Sequence, residues 1–422
     1  MLSIFLSRRM LITLLLGFSS GIPLALTGST FQAWMASEHI DLGTIGMAGL
    51  VAMPYSLKFL WAPLMDRYLP PFLGRRTGWM LIAQICLIIS IAGMGFFDPS
   101  KALWLTLIAA IMVAFFSASQ DIVVDAYRTD LLDPRERGPG AALYIAGYRI
   151  AFVVSGALAL FMSDHMPWKT VYLVMASTML IGVLASLAAP QPAGSQKPPA
   201  NLKDAVVLPL LDFFSRRGAW EILFFILIYK IDVVMATALT TPFLMSLDFT
   251  RTQIGWVFKV FGLLATIVGT LFGGAMMVRL GMKKSLWVFG ITQGISGLSF
   301  MVLAHLGNIY PMILVNRAES LFPMMVFSIA AENFCSGMGT AAYSAFLMSL
   351  CNKKFSATQF ALLTSIMALT RTLGVAPAGF MVKAMGWENF FLLATLIAIP
   401  SLLMLLRYDR WQQLEEAPAI KI

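Results

Sequence analysis

The run Ser117-Ala-Ser-Gln-Asp-Ile-Val-Val-Asp-Ala-Tyr-Arg128 decides how this chain is read. It continues an apolar stretch that begins near Leu103, and on a helix its carboxylates, Asp121 and Asp125, fall four residues apart on one face. A carboxylate facing lipid costs about 2.5–3.5 kcal/mol, so intramembrane acids usually turn to a polar interior and mark a pathway. The stretch predicts a membrane protein with a polar route through it.

Composition agrees. Of 422 residues, 59% are hydrophobic and only 12% charged, with a mean hydropathy of +0.80; a soluble domain carries about 25% charged residues. Apolar stretches of about 20 residues recur along the chain, which predicts a polytopic all-α protein. The net charge of +9 does not point to nucleic acid, because the basic residues sit in short loops between apolar segments. Cys86, Cys335 and Cys351 lack the spacing of a disulfide framework or zinc site, and His39, His165 and His305 are far apart in sequence. No metal, cofactor or nucleophilic triad is expected. Arg8 and Arg9 followed by Leu11–Leu16 resemble a signal peptide, but the apolar run continues to about Met35, too long for a cleaved segment.

Apolar runs and their breaks predict twelve helices: 10–36, 43–65, 78–97, 102–127, 139–163, 168–189, 219–246, 252–278, 285–305, 321–350, 357–382 and 388–407. Five Lys and Arg lie deep inside these spans; the other twenty-five, in the loops and at the span ends, divide twenty to five between alternate sides, which predicts both termini in the cytoplasm. The stretch 190–218 is a cytoplasmic linker, opening with the polar run Pro-Gln-Pro-Ala-Gly-Ser-Gln-Lys-Pro-Pro. It separates a six-helix bundle at 1–189 from another at 219–407, with a tail at 408–422. The halves echo each other. Met166-Pro-Trp-Lys-Thr-Val-Tyr-Leu parallels Met385-Gly-Trp-Glu-Asn-Phe-Phe-Leu, and the basic turn Asp66 to Arg76 parallels Arg279-Leu-Gly-Met-Lys-Lys284. Two similar six-helix halves suggest the major facilitator architecture, with a solute site at the midplane between them.

The turn Asp66-Arg-Tyr-Leu-Pro-Pro-Phe-Leu-Gly-Arg-Arg76 resembles that superfamily's signature loop. An acid at a helix end beside arginines can form a charge-assisted latch, so Asp66, Arg67, Arg75 and Arg76 are expected to hold one conformation shut. Nine ionisable residues lie deeper: Lys58, Asp121, Asp125, Arg149, Lys230, Asp232, Lys259, Glu332 and Arg371. They must pair, reach water or snorkel from helix ends. Basic groups in a cavity suit an anionic solute; acids suit proton coupling, because burial favours the protonated carboxyl. Asp121 is the leading proton carrier and Glu332, in the corresponding helix of the second half, the next. Asp125 lies nearer the helix end, where Arg128 can pair with it. The amides Gln32, Gln120 and Asn333 and the aromatics Tyr55, Trp61, Tyr148 and Tyr229 suit a sugar. Trp34, Trp168 and Trp387, near helix ends, read as membrane-interface residues. The Gly-rich stretches Gly269–Gly274 and Ser336–Thr340 lack a nucleotide-loop ending and fit helix crossings.

Several tracts together resemble the AmpG-type anhydromuropeptide permeases: Gly21-Ile-Pro-Leu-Ala-Leu-Thr, Phe31-Gln-Ala-Trp-Met35, Lys58-Phe-Leu-Trp-Ala-Pro-Leu-Met-Asp-Arg67, Ser117-Ala-Ser-Gln-Asp-Ile-Val, Glu332-Asn-Phe-Cys-Ser-Gly-Met-Gly-Thr-Ala-Ala and Cys351-Asn-Lys-Lys-Phe-Ser-Ala-Thr-Gln-Phe-Ala361. The resemblance implies a bacterial inner-membrane symporter. Such proteins import N-acetylglucosaminyl-anhydro-N-acetylmuramyl peptides from periplasm to cytoplasm with protons, feeding wall recycling and, in some bacteria, β-lactamase induction. It places Asp121, Asp125, Lys230 and Glu332 in recurring tracts. The chain departs from the pattern at Arg128, where members often have Lys, at Phe258, where Asn is expected, and at Asp232, one position early in Tyr229-Lys-Ile-Asp232. That shift turns a helical side chain by about 100°.

The binding residues expected are Gln32, Lys58, Gln120, Arg149, Lys230, Asp232, Lys259, Asn333 and Arg371; the proton-coupling residues are Asp121, Asp125 and Glu332. The partners expected are a glycopeptide, protons and lipid, with the chain acting as a monomer. The alternatives are a siderophore or acetyl-CoA importer of the same architecture, the latter on the pattern Gln120-Asp-Ile-x-x-Asp125, or a membrane sensor or enzyme. An enzyme should show a His/Asp cluster at a membrane face, and the sequence shows none.

Overall fold

The computed structural model describes residues 2–192, 198–309 and 317–412, and these are helices joined by short turns, with no strand among them. Nine helical stretches among the described residues are long and apolar enough to cross a membrane. Two of them contain a break: Thr252–Ile309 at Gly281 and Pro377–Trp411 at Gly386. With the broken helix over 42–67 and the start of Ser356–Leu396, the described chain runs through twelve helical spans.

The spans begin and end where local chemistry dictates. Asp98 caps the fourth, Pro99–Leu131, by accepting from the Ser100 amide at 2.9 Å. Hydrogen bonds from the Ser100 hydroxyl, Lys101 and the Ser100 amide push its carboxyl down to about 2. Thr250 and Gln253 form a reciprocal capping box before the eighth span. Gly74, Gly281 and Gly386 share one backbone, φ +86, +73 and +78 with ψ 173, 170 and 170, a region open only to glycine. The echoed basic turns therefore share a physical cause: one glycine conformation reverses the chain at Gly74 and again at Gly281.

Three spans differ from the sequence reading. The second, expected as one helix over 43–65, alternates α and 3₁₀ turns. Pro54 and Pro63 each remove an amide from its interior, and Gly43, Gly46 and Gly49 loosen its start. The seventh, Ala219–Ser246, breaks at Lys230 (φ −112, ψ 6) and restarts with Asp232 in the first turn of Ile231–Ala238. The fourth runs to Leu131, which keeps Arg128 and Asp130 on the helix that carries Asp121. The linker also contains a helix, Leu202–Phe214.

The described residues divide into two compact units: the chain up to Leu210 with Leu347–Ser365, and Leu211–Phe346 with the chain from Ile366 on. In the first, the crossing of the first and fifth spans is built on glycine, since a Cβ at Gly17 or Gly147 would strike the backbone of Tyr144 or Leu14. In the second, Gly269 and Gly273 meet Phe334 and Met338, and a Cβ at Gly337 would lie 2.6 Å from the Thr266 carbonyl oxygen. The Gly-rich stretches are helix crossings, as their small residues predict. Trp34 corrects its interface reading: it is 3% exposed, stacked on Trp168 at 5.6 Å inside the apolar core.

Candidate functional site

The first unit holds a charge cluster on the fourth span. Asp125 is 6% exposed and accepts from Arg128, one turn later, while Lys58 Nζ lies 3.9 Å from its other oxygen. The 3₁₀ turn Lys58–Leu60 delivers that ammonium. The Arg128 guanidinium, 1% exposed, also lies 3.7 Å over the Tyr144 ring, a second favourable seat for a buried cation. Asp121, one turn earlier, is treated differently. The Ser20 hydroxyl lies near its carboxyl group, and Oδ1 is buried without a hydrogen-bond partner among the described residues. Lys58, Arg128 and Asp125 are within electrostatic reach of it. Gln120, fully buried, donates to the Ser20 hydroxyl at 3.1 Å and accepts from Ser19 at 3.4 Å, which ties the fourth span to the first.

The second unit holds another cluster around the break in the seventh span. Lys230 Nζ donates to Gln293 Oε1 at 2.6 Å and to the Ser336 carbonyl at 3.0 Å. The same Gln293 donates through Nε2 to both oxygens of Asp232, at 2.9 and 3.0 Å. One amide thus relays between the ammonium and the carboxylate. Glu332, 1% exposed, accepts from Ser296 at 2.6 Å through Oε2, whereas Oε1 has no partner among the described residues. The early position of Asp232 does not remove it from this group, because the break at Lys230 resets the helix.

A third network sits at the ends of the second, third and fourth spans. Arg76, 3% exposed, donates to Asp66 at 2.8 Å, to Asp130 at 2.8 Å and to the Ser356 hydroxyl at 2.7 Å. Ser356 donates to Asp130 at 2.7 Å, and Thr358 donates to Asp66 through its amide and its hydroxyl at 2.8 and 2.7 Å. The N-terminal amides of a helix are natural donors to such a carboxylate.

Of the residues singled out by sequence, Lys58, Gln120, Asp121 and Asp125 converge in the first cluster, and Lys230, Asp232 and Glu332 in the second. Asn333 turns away to the Ile329 carbonyl and to Thr266. Gln32 and Arg149 are exposed, and neither side chain has a hydrogen bond or ion pair among the described residues. The side chains of Lys259 and Arg371 lie outside the described residues. In the third network Arg75 reaches only the Asp66 carbonyl, at 3.4 Å, and Arg67 stands apart over the Tyr68 ring at 5.7 Å. Sequence reasoning missed Asp130, Ser356 and Thr358 there, and Gln293 and Ser296 in the second cluster. A glutamine within an apolar run, and a Ser-x-Thr ahead of one, were the available signals.

Lipid-length helices around buried, partly unsatisfied charges define a membrane transporter. The Major Facilitator Superfamily model matches residues 11–318. The anhydromuropeptide permease of Escherichia coli (strain K12) is 47% identical over 407 residues, which cover 96% of this chain and 80% of that protein. An uncharacterized protein of Haemophilus influenzae is 39% identical, covering 94% of each. Among solved structures, the human organic anion transporter MFSD10 matches with a TM-score of 0.65 at 16% identity, covering 94% of this chain and 99% of that one. The proton:xylose symporter XylE matches at 0.66 and 12%, covering 96% and 95%; at such identities the likeness concerns the fold. The chain belongs to the AmpG-type permeases of the major facilitator superfamily. It is a multi-pass transporter with that superfamily's fold, not an enzyme.

Proposed function

We propose that this chain imports anhydromuropeptides, N-acetylglucosaminyl-anhydro-N-acetylmuramyl peptides, across the bacterial inner membrane by alternating access, driven by protons and with both termini cytoplasmic. The observation that carries the reading is 47% identity to an anhydromuropeptide permease over 96% of the chain. The charge clusters support it: the solute brings peptide carboxylates, and the protein supplies Lys58, Arg128 and Lys230 in buried polar surroundings and an unpaired Arg149.

Proton coupling follows from the difference between the two acids of the fourth span. Asp125 is held by two cations, so its charge is already compensated. Asp121 keeps an oxygen without a partner among the described residues and is the group free to gain a proton. The network at Arg76 is a latch whose members are Asp66, Arg75, Arg76, Asp130, Ser356 and Thr358. It holds one conformation and lies outside the solute path.

The test is uptake of labelled anhydromuropeptide in a bacterium deleted for its own permease. Expression of this chain should restore uptake, and a protonophore should abolish it. Uptake of a siderophore or acetyl-CoA with none of muropeptide would overturn the assignment.

A further inference from the structure

Beside the second cluster lies a cavity of about 10 Å³ whose polar wall is formed by Asp232, Gln293, Glu332 and Thr395, with Gly294 and Gly297 among the other lining residues. That volume is about what one water needs. Two oxygens on its wall, Glu332 Oε1 and Thr395 Oγ1, are buried without a partner among the described residues. The lack of a side chain at Gly297 keeps the space open, since a Cβ there would come within 3.1 Å of Thr395 Oγ1. A water in such a place meets two to four polar groups, as buried waters do.

The charges around it do not balance. Among the described residues, Asp232 and Glu332 face one cation, Lys230, and the remaining titratable neighbour is the Cys335 thiol. Fully ionised, the two carboxylates and the ammonium leave one uncompensated negative charge inside the protein, which is costly unless a positive charge joins it. The space admits a proton on a water-bridged pair.

We propose that this cavity holds one water, bonded to Glu332 Oε1 and Thr395 Oγ1, that joins Glu332 and Asp232 into a pair sharing a single proton. The proton moves by a balanced exchange: Glu332 gives its proton to the water oxygen while the water gives one of its own to Asp232, and the pair keeps one proton and one negative charge throughout. Gln293 holds Asp232 in place and connects it to Lys230. This deepens the proposed proton-coupled import by giving the second half its own proton seat.

The test is infrared difference spectroscopy of the purified, lipid-reconstituted full chain without solute, following the protonated-carboxyl C=O band at neutral pH. Glu332→Gln should remove one such band. Asp232→Asn should remove the same band, because a lone Glu332 beside Lys230 no longer needs the shared proton. Thr395→Val, which leaves every charge in place, should shift the band's frequency through the lost hydroxyl contact. If the band in Asp232→Asn and Thr395→Val is indistinguishable from wild type, no sharing occurs and the proposal fails. If replacing choline by sodium abolishes the band in wild type, the seat binds sodium instead and the proposal is likewise overturned. The measurement needs no solute, so loss of the muropeptide reading in the uptake assay leaves its outcome intact.

Discussion

Replacing Arg76 with alanine should destabilise the protein by about 3–5 kcal/mol, the range for removing one partner of a buried ion pair. The structure explains why the effect is that large. The guanidinium compensates two carboxylates at once, Asp66, with no exposure, and Asp130, 8% exposed. Arg75 cannot substitute, since it reaches only the main-chain oxygen of Asp66. The two bonds from Thr358 to Asp66 and the bond from Ser356 to Asp130 survive the change and favour the lower end of the range. At roughly 2.1 cal/mol/K of unfolding entropy per residue, the penalty corresponds to a fall of about 3–6 °C in the unfolding midpoint in detergent. Arg76→Lys keeps the charge but loses the planar fork, so it should fall between the two. Combining Arg76→Ala with Asp66→Asn should cost less than the sum of the single changes, with a coupling of about 0.5–3 kcal/mol. An Arg76→Ala midpoint within a degree of wild type would show that this network holds nothing shut.

Three further outcomes are expected. Asp121→Asn should abolish accumulation of labelled muropeptide against its gradient yet spare equilibrium exchange; unchanged pH-driven accumulation would remove Asp121 from the mechanism. Arg149→Ala should weaken solute binding about tenfold or more, the value of a charged hydrogen bond, without moving the unfolding midpoint, because Arg149 is exposed and has no hydrogen bond or ion pair to lose among the described residues. Equal affinity in a direct binding titration would dismiss it as a contact. Gly337→Ala should destabilise by about 1–3 kcal/mol, since its Cβ would lie 2.6 and 2.9 Å from backbone atoms of Thr266 and Thr270, whereas Gly255→Ala, with nothing within 4 Å, should be silent. Equal thermal midpoints for the two variants would show that the helix crossing yields.

Much of this was legible in the sequence because the bilayer imposes a length and a polarity on every span. Helix number and the pairing of Asp125 with Arg128 depend on composition and on i,i+3 geometry, both of which are local. The misses are non-local or come from backbone breaks. Asp232 looked misplaced by one residue because the seventh span was read as continuous; the break at Lys230 re-aims the acid, and periodicity carries no trace of it. The latch was half visible. Asp66 and Arg76 announce themselves by charge, but Ser356 and Thr358 arrive from 280 and 292 residues away and carry none. Gln293 stayed hidden for the same reason: a neutral amide in an apolar run becomes informative only once its two charged partners are seen beside it.

The charge balance of the clusters bears on how protons and an anionic solute could be coupled. Among the described residues, the two cations of the first cluster, both held on Asp125, equal Asp121 and Asp125 in number; in the second, Lys230 leaves Asp232 and Glu332 with one charge in excess. A proton on Asp121 turns the first from neutral to positive, and one on the Asp232–Glu332 pair turns the second from negative to neutral. Both changes move in the direction that favours a solute carboxylate. At an effective dielectric constant of about 20, one charge about 8 Å away is worth roughly 2 kcal/mol, or about thirtyfold in affinity. Binding linkage is reciprocal, so a bound anion raises the proton affinity of each cluster by the same factor. Coupling of this kind requires no contact between the proton carrier and the solute. It requires a carboxylate that no cation contacts among the described residues, which Asp121 and Glu332 satisfy and Asp125, held by two cations, does not.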